Sequence, residues 1–212
     1  MNDFPIFTTE NGVASLILRE IPYSQRAYIK LLDSRDPEAL LNECRQFCTV
    51  VGAEYIYAAG DPFLDKYPIY TRINEMERVW SEIQQTKAKA VAVTEQTISR
   101  WKEIYNHKMR EIPNAAYMDS TTAKQMLVDG SGYFAEMDGE TIGICNGAGD
   151  CVEAIASVVP GKGEDVLLAL CKQLGGNSFR LQVADTNTRA IALYSRLGFV
   201  KIKEVSCWYK IL

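Results

Sequence analysis

The feature that most constrains the fold is the block Asn187–Phe199, which reads N-T-R-A-I-A-L-Y-S-R-L-G-F. It follows the segment Phe179–Val183, in which apolar and polar residues alternate as in a strand with one buried face. The spacing then changes to that of a helix, predicted over Ala190–Leu197, and Gly198 ends it. The block therefore predicts a strand that leads directly into a short helix.

A second informative segment is the turn Pro160-Gly161-Lys162-Gly163. It joins a nearly continuous apolar strand, predicted at Val152–Val159, to a helix predicted at Glu164–Leu174. Glycines let the backbone approach a ligand, and the amides that open a helix favour an anion. The turn is not a Walker loop, because no Ser or Thr follows Lys162 at the required place, and a dinucleotide fingerprint would need a third glycine. By itself it fits either a phosphate site or an ordinary turn.

The rest of the C-terminal part alternates between strand and helix patterns. The predicted elements are a strand at Lys89–Val93, an amphipathic helix from Ile98 to Ile112 closed by Pro113, a short helix from Ser120 to Leu127, a hairpin of Gly132–Met137 and Thr141–Cys145 around Asp138-Gly139, and final strands at Val200–Val205 and Cys207–Leu212. Helices interleaved with a hairpin indicate an α/β fold, with a mixed sheet and helices on its faces.

The N-terminal part shows a similar order of elements. After a loose start at residues 1–12, the predicted elements are strands at Val13–Ile21 and Arg26–Leu32, a helix over Pro37–Val51 capped by Asp36, and strands at Glu54–Ala59 and Tyr67–Met76. The polar segment 77–87 then joins two predicted units, 1–87 and 88–212.

Composition excludes several classes of protein. The chain has 212 residues, 47% of them hydrophobic, which is enough for a real core, and its net charge of −4 argues against a nucleic-acid partner. No apolar run approaches the roughly 20 residues that cross a bilayer, so no membrane span is expected. Six scattered cysteines beside a single histidine, His107, indicate free thiols in a reducing cytoplasm and no metal site.

Together these features resemble the GNAT superfamily of acyl-CoA-dependent N-acyltransferases, over residues 89–212. The most specific match is the family pattern N-x-x-A-x-x-L-Y-x-x-x-G-F, which the block Asn187–Phe199 satisfies at every marked position. The resemblance implies a mostly antiparallel sheet in which a central pair of strands splays apart. It also implies acetyl-CoA as co-substrate and a primary amine as acceptor.

The resemblance further assigns residues to the acyl donor. Ser157, Val158 and Val159 would line its thioester and pantetheine arm. The pyrophosphate would lie on the amides of Gly161, Lys162, Gly163, Glu164, Asp165 and Val166. Asn187 would hydrogen-bond the donor, Ala190 would leave room beside it, and Tyr194 would protonate the departing thiolate.

One departure from the family pattern lies in the turn. The usual turn is longer and carries Arg or Gln before its glycines, whereas here Pro160 meets Gly161 directly and Asp165 stands where a small residue is usual. A shorter turn still presents amides, but it lacks the basic residue and carries an added acid. The alternative role of Glu164 and Asp165 is to stabilise the helix start.

Catalysis requires a neutral amine, a polarised thioester and a route for protons. A strand amide near Val158 is a candidate oxyanion donor, and Glu153 is the candidate general base, with a solvated acid at a strand end as the alternative. Tyr194 is either the general acid or a tyrosine that lines the donor. Cys151 and Cys171 are expected to be packing residues, because no histidine lies near them to activate a thiol. His107 is expected on the surface.

Residues 1–87 are interpreted as a degenerate half of the same fold, which packs on the catalytic unit without binding the donor. It lacks a Gly-x-Gly turn and has Asp36-Pro37 at the equivalent place. The predicted protein is a cytoplasmic acetyltransferase, monomeric or homodimeric. A catalytically silent acyl-CoA binder and a protein without any such ligand are the alternatives.

Overall fold

The computed structural model describes residues 5–113 and 115–212. Its contacts divide the chain into two compact units, Met1–Ile73 with Glu204–Leu212, and Asn74–Lys203. The sequence placed a boundary at residue 87 instead, because the polar composition of 77–87 suggested a linker. Strand pairing, which composition does not reveal, places Glu204–Leu212 in the first unit. The assignment of 1–87 and 88–212 as two related halves remains a proposal.

The first unit is a sheet covered on one face by a long helix. Its elements are β1 (Ile6–Thr9), β2 (Gly12–Ile17), the single-turn α1 (Ile21–Ser24), β3 (Arg26–Ser34), α2 (Pro37–Val50), β4 (Tyr55–Ala59), the start of β5 (Ile69–Val79) and the end of β11 (Val200–Lys210). β2 pairs antiparallel with β1 and β3, β4 runs parallel to β3, and β11 pairs antiparallel with β4. The core forms where α2 buries its apolar stripe on β2 and β3.

The second unit is a larger mixed sheet with helices on both faces. Its further elements are β6 (Lys89–Ala92), α3 (Ile98–Met109), α4 (Ser120–Asp129), β7 (Gly132–Met137), β8 (Glu140–Ala148), β9 (Cys151–Ser157), α5 (Gly163–Leu174), β10 (Ser178–Ala184) and α6 (Thr188–Arg196). Its strands stand in the order β5-β10-β9-β8-β7-β6. One core packs under α5 and α6, and another packs under α3 and α4. The predicted α/β fold with a mostly antiparallel sheet is confirmed.

Several predicted element boundaries differ from the structure. The described part of the supposedly loose start contains β1, while residues 1–4 lie outside the described residues. The strand expected to reach Ile21 ends at Ile17, because Ile21 begins α1 instead, with Pro22 in its first turn. The two final strands are one, since Ser206 continues β11 without a turn. No helix in the described ranges is long and apolar enough to cross a bilayer.

Buried thiols make the folded protein sensitive to alkali. Burial raises the pKa of the Cys145 and Cys171 thiols from 9.0 to about 12. The unfolded chain therefore loses these protons first, so their stabilising contribution is complete below pH 9 and is lost as pH rises toward 12. We expect the melting temperature to fall by about 10 °C between pH 8 and pH 10.5.

Calorimetric scans across this pH range measure the effect, and Cys145→Ala provides the matched comparison because it removes one of the titrating groups. The variant should lose less stability between the two pH values than the natural chain does. Equal losses in the two proteins would contradict the assignment.

Candidate functional site

The central feature of the second unit is an opening between β9 and β10. These parallel strands pair at only two positions, Cys151 with Arg180 and Val152 with Leu181. From residue 153 onward β9 pairs with β8 alone. At the closed end, Arg180 donates to Asp150 through its backbone N–H at 2.8 Å and through its guanidinium at 2.6 Å. The opening thus widens toward the end of β9 and the turn that follows it.

The register of β9 decides which main-chain groups face the opening. The Val158 N–H donates to the Ile142 carbonyl on β8 at 2.9 Å. In an antiparallel pair, alternate residues direct both main-chain groups to the partner, and the residues between them direct theirs away. The main-chain groups of Ile155 and Ser157 therefore face the opening. The Val158 amide already binds a carbonyl, so of the strand amides near Val158 those of Ser157 and Ile155 are the ones that face the opening.

The first unit has the same strand order but no such opening. Its parallel strands β3 and β4 pair at five consecutive positions, from Arg26–Tyr55 to Lys30–Ala59. Gly60, which follows β4, lies so close to β3 that a Cβ placed on it would stand 2.3 Å from the Leu31 carbonyl oxygen. A donor arm could not enter between these strands without breaking their ladder.

The turn after β9 leaves the start of α5 open. Gly161 adopts a left-handed φ of 81° with free space around it, and Lys162, the residue before the helix, makes no side-chain cap. The first amides of a helix have no partner within the helix itself. Here these amides belong to Gly163, Glu164 and Asp165. Gly163 lies against α6, since a Cβ there would be 3.2 Å from Leu193 Cδ2.

Both acids at this helix start are held by partners. Asp165 accepts from Thr86 Oγ1 at 2.7 Å and from Lys162 Nζ at 3.2 Å, and Glu164 pairs with Arg196 at 3.2 Å. Two cations therefore balance two carboxylates beside the open amides. Thr86 and Arg196 were not singled out from the sequence, although a cation in the last turn of α6 was a usable signal.

The equivalent helix start in the first unit is closed. Asp36 Oδ1 accepts from the Ala39 N–H at 3.0 Å, and Pro37 contributes no N–H at all. This cap places a carboxylate where an incoming phosphate would lie, so an anion is repelled rather than bound.

The block Asn187–Phe199 forms α6 and both of its ends. Asn187 caps the helix, with its Oδ1 accepting from the Ala190 N–H at 3.2 Å, so only its Nδ2 is left to donate elsewhere. Ala190 is half-buried against the α5–α6 core. Tyr194 lies in that core with 8% of its surface exposed, and burial raises the pKa of its phenol to about 12.

Glu153 lies at a β-bulge at the closed end of the opening. The register between β8 and β9 shifts there, so that Glu153 has no partner position on β8, and its side chain is exposed. The pKa of the neighbouring Cys151 thiol is raised first by partial burial and then by the charge of Glu153. Bulges such as the one at Glu153 commonly redirect a side chain next to an active site. Elsewhere in this unit, Cys171 is buried, and His107 is exposed on α3.

Comparison with solved structures identifies the class of fold. A GCN5-related N-acetyltransferase from Sphaerobacter thermophilus superposes with a TM-score of 0.62 at 12% identity, covering 94% of this chain and 76% of that one. A tandem GNAT protein from the clavulanic acid biosynthesis pathway gives 0.55 at 14% identity, covering 94% and 78%. A GCN5-related N-acetyltransferase from Kribbella flavida gives 0.54 at 14% identity, covering 98% and 88%.

The chain therefore has the fold of the GNAT acetyltransferases along nearly its whole length. No protein-family model matches its sequence. No curated protein matches it either. Among the described residues, no cluster of His, Cys, Asp and Glu could hold a metal ion.

Proposed function

We propose that this protein is an N-acetyltransferase that moves an acetyl group from acetyl-CoA to a primary amine. The observation that carries the proposal is the pairing of two features in one unit. The strands β9 and β10 open after two paired positions, and the opening leads to a helix start without a cap. The other unit repeats the strand order with neither feature, so the fold alone does not require them.

The proposed donor site runs from the turn into the opening. The pyrophosphate would accept from the amides of Gly163, Glu164 and Asp165, and Lys162 would exchange its bond with Asp165 for a phosphate oxygen. Asn187 Nδ2 would donate to the donor from the start of α6. Lys162 would thus supply the cation that the shortened turn lacks at its usual place.

The pantetheine arm would lie along β9 and bind the main-chain groups of Ser157 and Ile155. The arm has roughly the length of five extended residues, about 16 Å. Its thiol end would then lie near Ala154, toward the closed end of the opening. Glu153, one residue further along, is within reach of an amine that attacks the thioester there.

The chemistry is direct attack in a ternary complex. The amine nitrogen bonds to the carbonyl carbon, the carbon–sulfur bond breaks, and the electron pair leaves with sulfur. Glu153 would take the proton from the attacking nitrogen, directly or through water. With the Val158 amide engaged, the Ile155 amide, which lies beside Ala154, is the candidate donor to the developing oxyanion.

Residues 1–87 are proposed to be a degenerate half of this fold that binds no donor. The five-position ladder between β3 and β4 and the Asp36 cap are the supporting observations. Six free cysteines fit a protein of the reducing cytoplasm.

Two measurements test the proposal. Calorimetry with CoA should show binding, and incubation with acetyl-CoA and a panel of amines should release free CoA only when an amine is present. Binding without turnover would favour a silent acyl-CoA-binding protein, a reading supported by the engaged Val158 amide and the two acids at the α5 start. Absence of any heat at millimolar CoA would overturn both readings.

Tyr194→Phe should lower kcat about tenfold and leave the Kd of acetyl-CoA within threefold. With the phenol pKa at about 12, transfer of its proton to a thiolate of ordinary pKa near 8.5 is uphill by about 5 kcal/mol. The hydroxyl is therefore expected to donate a hydrogen bond to the departing sulfur, an interaction of about 1.5 kcal/mol.

The pH dependence of the natural enzyme provides an independent check. The phenol stays protonated below its pKa, so the kcat/KM profile should rise with deprotonation of the amine and show no descending limb between pH 7 and pH 10. Steady-state kinetics with spermidine as the probe measure both quantities. If Tyr194→Phe kept the full natural kcat, Tyr194 would have no role in the mechanism.

A further inference from the structure

The side-chain oxygen of Asn146, on β8, is buried without a partner among the described residues. Asn146 is only 8% exposed, and no hydrogen-bond donor from the described part of the chain reaches its Oδ1. A buried acceptor in this condition is costly, and native structures keep few of them. Its presence calls for a physical reason, and a ligand that supplies the missing donor is one such reason.

The neighbours of Asn146 show where such a ligand could enter. Ile144 packs in the core under α3 and α4, and the two-residue period of a strand places Asn146 on the same face. Its partners in the sheet are small, Gly132 on β7 and Ala154 on β9. Met126 already fills the space over Gly132, since a Cβ there would lie 2.6 Å from the Met126 sulfur. On its other side the carboxamide is bounded by the small side chain of Ala154, which is half-buried.

Ala154 lies two residues past Val152, the last residue of β9 that pairs with β10. The carboxamide thus lies one strand away from the closed end of the opening, where the proposed thiol end of the donor would stand. Cross-strand neighbours of this kind have Cβ atoms about 5 Å apart. An amine that approaches the thioester on this face of the sheet would come within reach of Asn146 Oδ1.

The charges around the closed end suit a cationic amine. Asp150 and Glu153 flank Cys151, and Glu75 on β5 is close enough to raise the pKa of the same thiol. Glu75 has a side chain only 14% exposed and pairs with Lys203 at 3.4 Å. Arg180 is the other cation here. With Glu77, which also acts on Arg180, the carboxylates named here outnumber the cations and leave a local excess of negative charge.

We propose that Asn146 binds the acceptor of the reaction, with Oδ1 accepting an N–H from the primary amine. This inference rests on the proposed acetyltransferase function and adds the residue that orients the nucleophile. The acceptor class it specifies is a primary amine that arrives as a cation. Asn146 positions the amine nitrogen, and Glu153 is the group that would remove its proton.

Asn146→Leu is the decisive variant, because leucine has a similar shape and no acceptor. We expect the KM for spermidine to rise at least tenfold, with the Kd of acetyl-CoA within threefold of the natural value. We also expect the melting temperature to rise, since the variant removes an unpaired buried oxygen. Asn146→Asp keeps an oxygen at the same place and should keep the KM within threefold. A carboxamide with a purely structural role predicts instead that the leucine variant melts lower.

A binding measurement separates failure of this inference from failure of the proposed function. The side-chain amide signal of Asn146 in a nitrogen-15 spectrum, assigned by its loss in Asn146→Leu, should shift when spermidine is added to the CoA-saturated protein. CoA binding without that shift, or an unchanged KM in the leucine variant, would overturn the role of Asn146 alone. Absence of CoA binding would overturn the proposed function and this inference with it.

Discussion

Replacing Lys162 with Asp and Gly163 with Pro is expected to raise the Kd of CoA at least 100-fold while the protein stays folded. The new Asp-Pro pair copies Asp36-Pro37, with which the chain begins α2. The introduced carboxylate would accept from an amide three residues on, as Asp36 does from Ala39 at 3.0 Å. The proline removes a second N–H, and the local charge falls by two. Losing hydrogen bonds to an ionised phosphate costs about 1.5–3 kcal/mol each, which accounts for the factor.

The backbone would also change at this turn. Lys162 has φ −92° and ψ 8°, whereas Asp36 has φ −128° and ψ 94°, the extended conformation that a following proline favours. Calorimetry with CoA measures the loss, and the melting temperature reports the fold. The matched control is Asp36→Lys with Pro37→Gly in α2, which should destabilise the protein by about 1 kcal/mol without altering CoA binding. A Kd within threefold of the natural value in the α5 variant would contradict the proposed phosphate site.

The contrast between these two helix starts was readable in the sequence. Asp36-Pro37 is a local capping signal, and Gly161-Lys162-Gly163 is a local turn signal, so the capped helix and the turn before α5 were both predicted. The block Asn187–Phe199 likewise predicted α6 and its ending, because those features depend on residues a few positions apart.

Features set by pairing between distant residues could not be predicted in the same way. The bulge at Glu153 depends on how β8 and β9 align, and that alignment involves residues of two strands. Engagement of the Val158 amide follows from that same register. Asn146 reads in the sequence as a polar residue in an apolar strand, and only the three-dimensional neighbours show that its oxygen is buried without a partner.

The partners of Asp165 are a similar case. The sequence shows an acid at a helix start that is unfavourable for a phosphate. Thr86, 79 residues earlier in the chain, and Lys162 hold that carboxylate in the folded protein. The sign of the local electrostatics therefore depends on a contact that local sequence patterns do not contain.

Ser157→Pro is expected to weaken acetyl-CoA binding at least tenfold with little change in the melting temperature. The Ser157 N–H faces the opening rather than β8, as the bond from Val158 to Ile142 fixes the register. Proline removes that donor and places its ring where the pantetheine arm would lie, and it leaves the ladder with β8 intact. A lost main-chain bond to the arm, together with the steric conflict, exceeds the roughly 1.4 kcal/mol that a tenfold change requires.

Two neighbouring substitutions make this result specific. Ser157→Ala removes the hydroxyl, which bonds the Val159 carbonyl, but keeps the N–H, so its Kd should stay within threefold of the natural value. Ala156→Pro breaks the ladder with Ile144 on β8 and should lower the melting temperature by several degrees. If Ser157→Pro instead destabilised the fold as Ala156→Pro does, its amide would belong to the sheet. If it folded normally and bound acetyl-CoA with the natural Kd, the donor arm would lie somewhere other than along β9.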